Sequence, residues 1–129
     1  MIILDTHIWI WWVNGSPKLD QKSLELIKKH EESGLYVSVI SCWEFAKLVE
    51  KKRLTITCST LEWLQQALAY PGIQLVDLSL EIIADSTQLP GQFHQDPADQ
   101  IIVATSRCLD VPLLTADNKI LKYAEVVTP

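Results

Sequence analysis

Short apolar runs alternate along the chain with longer stretches in which apolar residues recur every three or four positions. The runs predict strands at 2–4, 36–40, 74–76, 112–114 and 125–127. The periodic stretches predict helices at 6–13, 22–32, 42–51, 61–69, 80–87, 97–109 and 119–123. Strands that take turns with helices are the pattern of an α/β fold around a mostly parallel sheet.

Helix starts carry their own signals. Ser41-Cys42-Trp43-Glu44 and Ser59-Thr60-Leu61-Glu62 fit the capping box, in which a glutamate follows the capping serine by three positions. Asp96-Pro97 sets a capping aspartate before a proline at the first helical position. Turns are expected at Asn14-Gly15-Ser16-Pro17 and Pro71-Gly72. There is no internal repeat, linker or low-complexity tract, and 129 residues suit one domain, 1–129.

Composition narrows the class. Apolar residues make up 48% and charged residues 21%, which gives the chain a core to bury. Cys42, Cys58 and Cys108 are odd in number and show no metal-ligand spacing, so they read as reduced thiols of an intracellular, cytoplasmic protein. The apolar N-terminus lacks a basic leader and carries Asp5 and His7, so it reads as neither signal peptide nor membrane span. A net charge of −5 weighs against general nucleic-acid affinity unless metal ions supply positive charge locally.

In a parallel α/β sheet, the loops after the strands and the starts of the following helices share one edge, where ligands bind. Asp5 directly follows the first predicted strand, and Glu44 falls in the first turn of the helix after the second. Asp99 falls in the first turn of the helix that leads into the fourth strand, and Asp117 lies just beyond that strand. Each acid alone has an ordinary role: Glu44 and Asp99 in capping boxes, Asp117 as a turn or cap residue. Asp5 has the weakest ordinary role, since a bare carboxylate beside an apolar strand is costly. Four acids on one rim repel one another and must take up protons or bind cations, and oxygen donors select Mg²⁺ or Mn²⁺. His7, His30 and His94 are too scattered for zinc. There is no phosphate-binding glycine loop, no nucleophile elbow, and no second aspartate two positions after Asp5.

ILDTHIWIWW, SVISCWEFAKLVEKKRL, HQDPADQIIVATS and LLTADNKI, in that order, resemble the PIN-domain family. The similarity is to its VapC-type toxin branch, with a DTH start and an HxDPxD segment. The resemblance implies a Rossmann-like α/β/α sandwich with a short, mostly parallel sheet. It also implies a ribonuclease dependent on one or two Mg²⁺ or Mn²⁺ ions, a homodimer, and a cognate antitoxin partner. Asp5, Glu44, Asp99 and Asp117 match the family's four acids, Thr6 and Thr115 its flanking polar positions, and His94 and Asp96 positions of this branch that support the loop. The branch carries arginine after the third acid, where this chain has Gln100.

Lys47 and Lys51, one turn apart and followed by Lys52 and Arg53, are candidates to hold RNA phosphates, with a plain solvated face as the alternative. Trp9, Trp11 and Trp12 are expected in the core or at a dimer interface rather than stacked on bases. The competing functional expectation is a PIN-like module that binds RNA or protein without cutting it.

Overall fold

The first strand, β1 (Ile2–Leu4), is wholly buried, and its side chains alternate between two cores. Ile2 and Leu4 join Trp9, Phe45 and Trp63 on one face, while Ile3 joins Ile102, Val103, Leu113 and Ile120 on the other. A strand with apolar residues on both faces needs helices above and below it, which gives a three-layer α/β/α sandwich.

The computed structural model describes residues 1–129. After β1 come α1 (Thr6–Val13), α2 (Gln21–His30), β2 (Leu35–Ser38) and α3 (Val39–Glu50). Next are α4 (Thr60–Leu68), β3 (Ile73–Val76), α5 (Leu80–Ser86), α6 (Pro97–Leu109), β4 (Leu113–Leu114) and α7 (Asn118–Leu121). The four strands are parallel in the order β3-β2-β1-β4. The chain therefore builds outward from β1 through β2 to β3, then crosses back to lay β4 on the other side of β1. This reversal opens a crevice beyond the carboxyl ends of β1 and β4. No helix is long and apolar enough to cross a membrane.

Three sequence expectations need correction. The strand predicted to run to residue 40 stops at Ser38, because Val39 and Ile40 already belong to α3. Ser38 is the cap, its hydroxyl accepting from the Ile40 N–H at 3.2 Å, and Ser41 lies inside the helix. The Ser41–Glu44 capping box does not form, and Glu44 sits in the second turn. The fifth strand predicted at 125–127 is absent from the sheet: that segment meets β4 through one backbone bond, Leu113 N–H to the Val127 carbonyl at 2.9 Å. The other two caps form as expected, Glu62 N–H donating to the Ser59 hydroxyl at 3.1 Å and Asp99 N–H to Asp96 Oδ1 at 3.0 Å.

Trp9 is fully buried, packing edge-on against Phe45 and Trp63, which stack with centroids 3.7 Å apart. This cluster ties α1, α3 and α4 together and fixes the rotation of α3, so that Glu44, next to buried Phe45, faces the crevice side.

Candidate metal centre

Asp5 leaves β1 as the cap of α1 and is only 5% exposed. Both of its carboxylate oxygens are held: Thr6 N–H donates to Oδ1 at 2.8 Å and the Thr115 hydroxyl donates to Oδ2 at 2.6 Å. Burial pushes this carboxyl above its ordinary range, against the downward pull of those two hydrogen bonds.

Glu44 reaches the same place from α3. The Thr6 hydroxyl donates to Glu44 Oε1 and pairs at 2.8 Å with the fully buried Ser41 hydroxyl. A hydroxyl has one proton to give, so Thr6 donates to Glu44 and accepts from Ser41. The Ser41–Thr6–Glu44 chain holds the glutamate in one orientation. Burial again raises the carboxyl, the Thr6 bond lowers it, and Asp5 and Asp96 raise it further.

Asp99 stands in the first turn of α6 and feels the whole set. Its carboxyl is pushed up to about 7, first by burial and then by Asp5, Asp96, Asp117 and Glu44. Asp117 caps α7, accepting from Lys119 N–H at 2.8 Å while its own N–H donates to the Thr115 hydroxyl at 3.0 Å. Thr115 thus couples the acid after β1 to the acid after β4.

His94 enters this cluster more closely than its sequence position suggests. Its Nε2 lies 3.0 Å from Asp99 Oδ2, within ion-pair distance, yet the nitrogen is buried with no aligned hydrogen bond. Nδ1 accepts a long 3.4 Å bond from Asp96 N–H, and the Gln100 side chain donates to the His94 carbonyl at 3.1 Å. Gln100, which stands directly after the third acid in place of the branch's arginine, therefore ties the His94 loop to α6.

One ligand atom each from His94, Asp99 and Asp117 lie within 4.8 Å of one another. Asp5 and Glu44 lie outside that tight trio and act on Asp99 through charge. The donor set is dominated by hard carboxylate oxygens that burial and mutual repulsion leave short of positive charge. That set fits a divalent cation, which His94 Nε2 could join only in the tautomer that gives up the bond Nδ1 accepts from Asp96 N–H.

The cluster opens on its Glu44 side into a groove of about 400 Å³, lined by Thr6, His7, Trp43, Glu44, Lys47, Lys51, Arg53 and Asp96 among others. Lys47 pairs with Glu50 at 3.0 Å, and Lys51 stands in no ion pair. Of the tryptophans near the site in sequence, Trp9 is in the core, and Trp11 and Trp12 pack half-buried against it. Trp43 is 55% exposed, with the Lys47 ammonium 5.7 Å from its ring centre. No local pattern separates the exposed ring of Trp43 from the packed ones, since all four lie on predicted helices with apolar residues on both sides of the chain. Ser41 was also missed as a positioning group. Its spacing of three from Glu44, which puts both on one helix face, is the signal that could have found it.

Comparison with known proteins agrees with this geometry. The PIN domain pattern matches residues 2–126. Ribonuclease VapC22 of Mycobacterium tuberculosis (strain ATCC 25618 / H37Rv) is 31% identical over 122 residues, covering 95% of this chain and 91% of the relative. Among solved structures, VapBC2 from Rickettsia felis, bound to a DNA fragment from its promoter, superposes with a TM-score of 0.74 at 16% identity. That match covers 100% of this chain and 98% of the other. FitAcB from Neisseria gonorrhoeae superposes with a TM-score of 0.70 at 19% identity, covering 99% of this chain and 96% of the other. A toxin–antitoxin complex from Klebsiella pneumoniae gives 0.68 at 20% identity, covering 100% and 98%. With the parallel sheet, the acids at its crevice and a match along nearly its whole length, the chain belongs to the PIN-domain family.

Proposed function

We propose that this protein is a divalent-metal-dependent endoribonuclease and the toxin of a type II toxin–antitoxin pair. The observation that carries the reading is the convergence of Asp5, Glu44, Asp99 and Asp117 from four separate segments, with three of these carboxyls pushed above their ordinary range. The name of the relative VapC22 and the toxin–antitoxin assemblies among the structural neighbours support it. By the same kinship it works in the cytoplasm, as a homodimer held in check by a cognate antitoxin.

Asp5, Glu44, Asp99 and Asp117 would hold one or two Mg²⁺ or Mn²⁺ ions. Such an ion, when bound, supplies an acidified water and positive charge at the leaving oxygen of a phosphodiester. The chain's own residues prepare the rest. Thr6 and Thr115 fix both oxygens of Asp5, and Thr6 also aims Glu44, so these acids need no reorganisation at the moment of reaction. Asp96 and Gln100 hold the His94 loop against the start of α6, which sets the approach to Asp99. Lys47 and Lys51 attract phosphates into the groove beside Glu44.

The test is cleavage of a labelled single-stranded RNA panel with Mg²⁺ or Mn²⁺, with EDTA and Asp5→Asn as controls. Cutting that vanishes in both controls is the expected result. RNA binding without cutting, by folded and metal-supplied protein, would replace the enzyme with the binding-module reading.

A further inference from the structure

The acids have a second neighbouring groove, on the side away from Glu44. It encloses about 540 Å³ and is lined by Phe93, His94, Lys119, Lys122 and Glu125 among others. It touches the centre twice: His94 is the residue beside Asp99, and Lys119 gives its N–H to Asp117. Lys119 and Lys122 are exposed and in no ion pair, and neither are Lys51 and Arg53 in the first groove.

Strand order sets the two grooves on opposite flanks. Along the carboxyl edge of the sheet, β2 leads to Glu44, β1 to Asp5 and β4 to Asp117. Neighbouring strands lie about 4.8 Å apart, so the outer two of these acids stem from strands about 10 Å apart with Asp5 between them. Cations therefore stand on both sides of a carboxylate centre that itself repels phosphate. Each groove also offers an aromatic ring, Trp43 more than half exposed in the first and Phe93 packed on His94 in the second.

We propose that single-stranded RNA crosses the centre from one groove to the other, with Lys51, Arg53 and Trp43 holding the chain on one side of the cut phosphodiester and Lys119 and Lys122 holding it on the other. This rests on the ribonuclease reading and extends it to both sides of the cut. Stacking on the exposed Trp43 ring suits unpaired bases and requires no sequence, while Phe93, half-buried against His94 and Tyr123, offers at most an edge. Cations without acid partners gain from phosphates without first losing an ion pair.

The experiment compares wild type with Lys119→Ala/Lys122→Ala and Lys51→Ala/Arg53→Ala, on RNA substrates shortened stepwise on the 5′ or the 3′ side of the mapped cut. Each double variant is expected to raise KM several-fold with kcat within about twofold. Each should also reduce the dependence of log affinity on log salt by about 1.4, at about 0.7 per lost phosphate contact on a single strand. Shortening one side should stop mattering in one variant, and shortening the other side in the other. Trp43→Ala should weaken binding about tenfold, and Trp43→Phe should restore part of that. Unchanged KM and salt slope in Lys119→Ala/Lys122→Ala, with cleavage intact, overturns the path while leaving the nuclease standing. Anisotropy of a labelled oligouridine on Asp5→Asn separates the two ideas. Lysine-dependent binding on both flanks without any cleavage by wild type keeps the path and sinks the nuclease. Absence of both binding and cleavage sinks the path as well.

Discussion

Replacing Asp99 by Asn removes a charge and keeps the shape, so it isolates what the acid cluster costs the fold. Asp99 is pushed from an ordinary 3.8 to about 7, chiefly by burial and then by four neighbouring acids. The folded protein holds this proton up to about pH 7, whereas the unfolded chain releases it near 3.8. The stabilisation from the bound proton is therefore complete below 3.8 and is lost as pH rises through about 7. Forcing the group to ionise at pH 8 costs at most about 4 kcal/mol. Asp99 keeps 17% of its side chain exposed and its surroundings relax towards water, so about half of that, ~2 kcal/mol, remains. One term opposes it: a carboxylate in the first turn of a helix gains about 0.3–1 kcal/mol from the macrodipole. The cap itself survives, because Asp96 and not Asp99 closes the helix start. Asp99→Asn should therefore be more stable than wild type in EDTA at pH 8, by about 1–2 kcal/mol, or roughly 4–8 °C in Tm for a chain of this size. The advantage should shrink towards pH 5, where the wild-type carboxyl keeps its proton. Adding Mg²⁺ or Mn²⁺ should raise the wild-type Tm more than the variant's. Thermal melts across pH, with EDTA or metal, read all three. A variant less stable than wild type in EDTA at pH 8, or an advantage equal at pH 5 and pH 8, would refute the electrostatic reasoning.

Two further perturbations test the frame around the acids. Thr6→Val keeps the volume but leaves Ser41 without its partner and Glu44 without its donor. It should cost about 1–3 kcal/mol in urea unfolding and reduce kcat at least tenfold with little change in KM, and Thr6→Ser should recover most of both. Near-normal turnover in the valine variant would show that Glu44 needs no such guide. Gly72 precedes β3 with φ of +87°, and a Cβ there would collide with the Glu31 carbonyl, whereas Gly15 at φ of +62° faces open space. Gly15→Ala should cost about 1–2 kcal/mol from backbone strain alone, and Gly72→Ala distinctly more, as chemical denaturation would measure. Equal losses would mean the loop beside Glu31 yields freely.

What could be read from the sequence was whatever local chemistry decides. β1, α1 and α6 begin and end where the apolar runs and the Asp5 and Asp96-Pro97 signals put them. The start of α3 was misplaced because two serines compete for it. Val39 and Ile40 look like strand by their branching, and tertiary packing overrides that preference. The segment at 125–127 has strand composition but meets the sheet edge through a single backbone bond. Asp5, Asp99 and Asp117 were legible because each follows a strand or opens a helix, whereas Glu44, expected in a first turn, stands in the second turn of α3. The resemblance named Thr6 and Thr115 as flanking positions but not their partners: Thr115 reaches Asp5 across 110 residues and Thr6 reaches Ser41 across 35, and no local pattern reports such pairings. His94 beside Asp99 is a local contact within the HxDPxD segment, whereas the second groove joins residues 90–94 to 119–125 and is legible only in the folded chain.

The overall acidity that weighed against a nucleic-acid enzyme has a different meaning once the charges have places. The chain carries 16 acidic and 11 basic side chains, a net charge of −5. Asp5, Glu44, Asp96, Asp99 and Asp117 stand together at the crevice, as many acids as the whole excess. Apart from them, the remaining acids and the Lys and Arg side chains balance. Divalent cations bound at the crevice would therefore turn an acidic chain into a near-neutral one, with Lys47, Lys51 and Arg53 along one groove and Lys119 and Lys122 along the other. The sign of the net charge describes the chain without its ions, and affinity for RNA should follow the metal. Binding should be weak in EDTA, and it should strengthen with Mg²⁺ or Mn²⁺ at concentrations too low to bridge exposed surface carboxylates and phosphates nonspecifically.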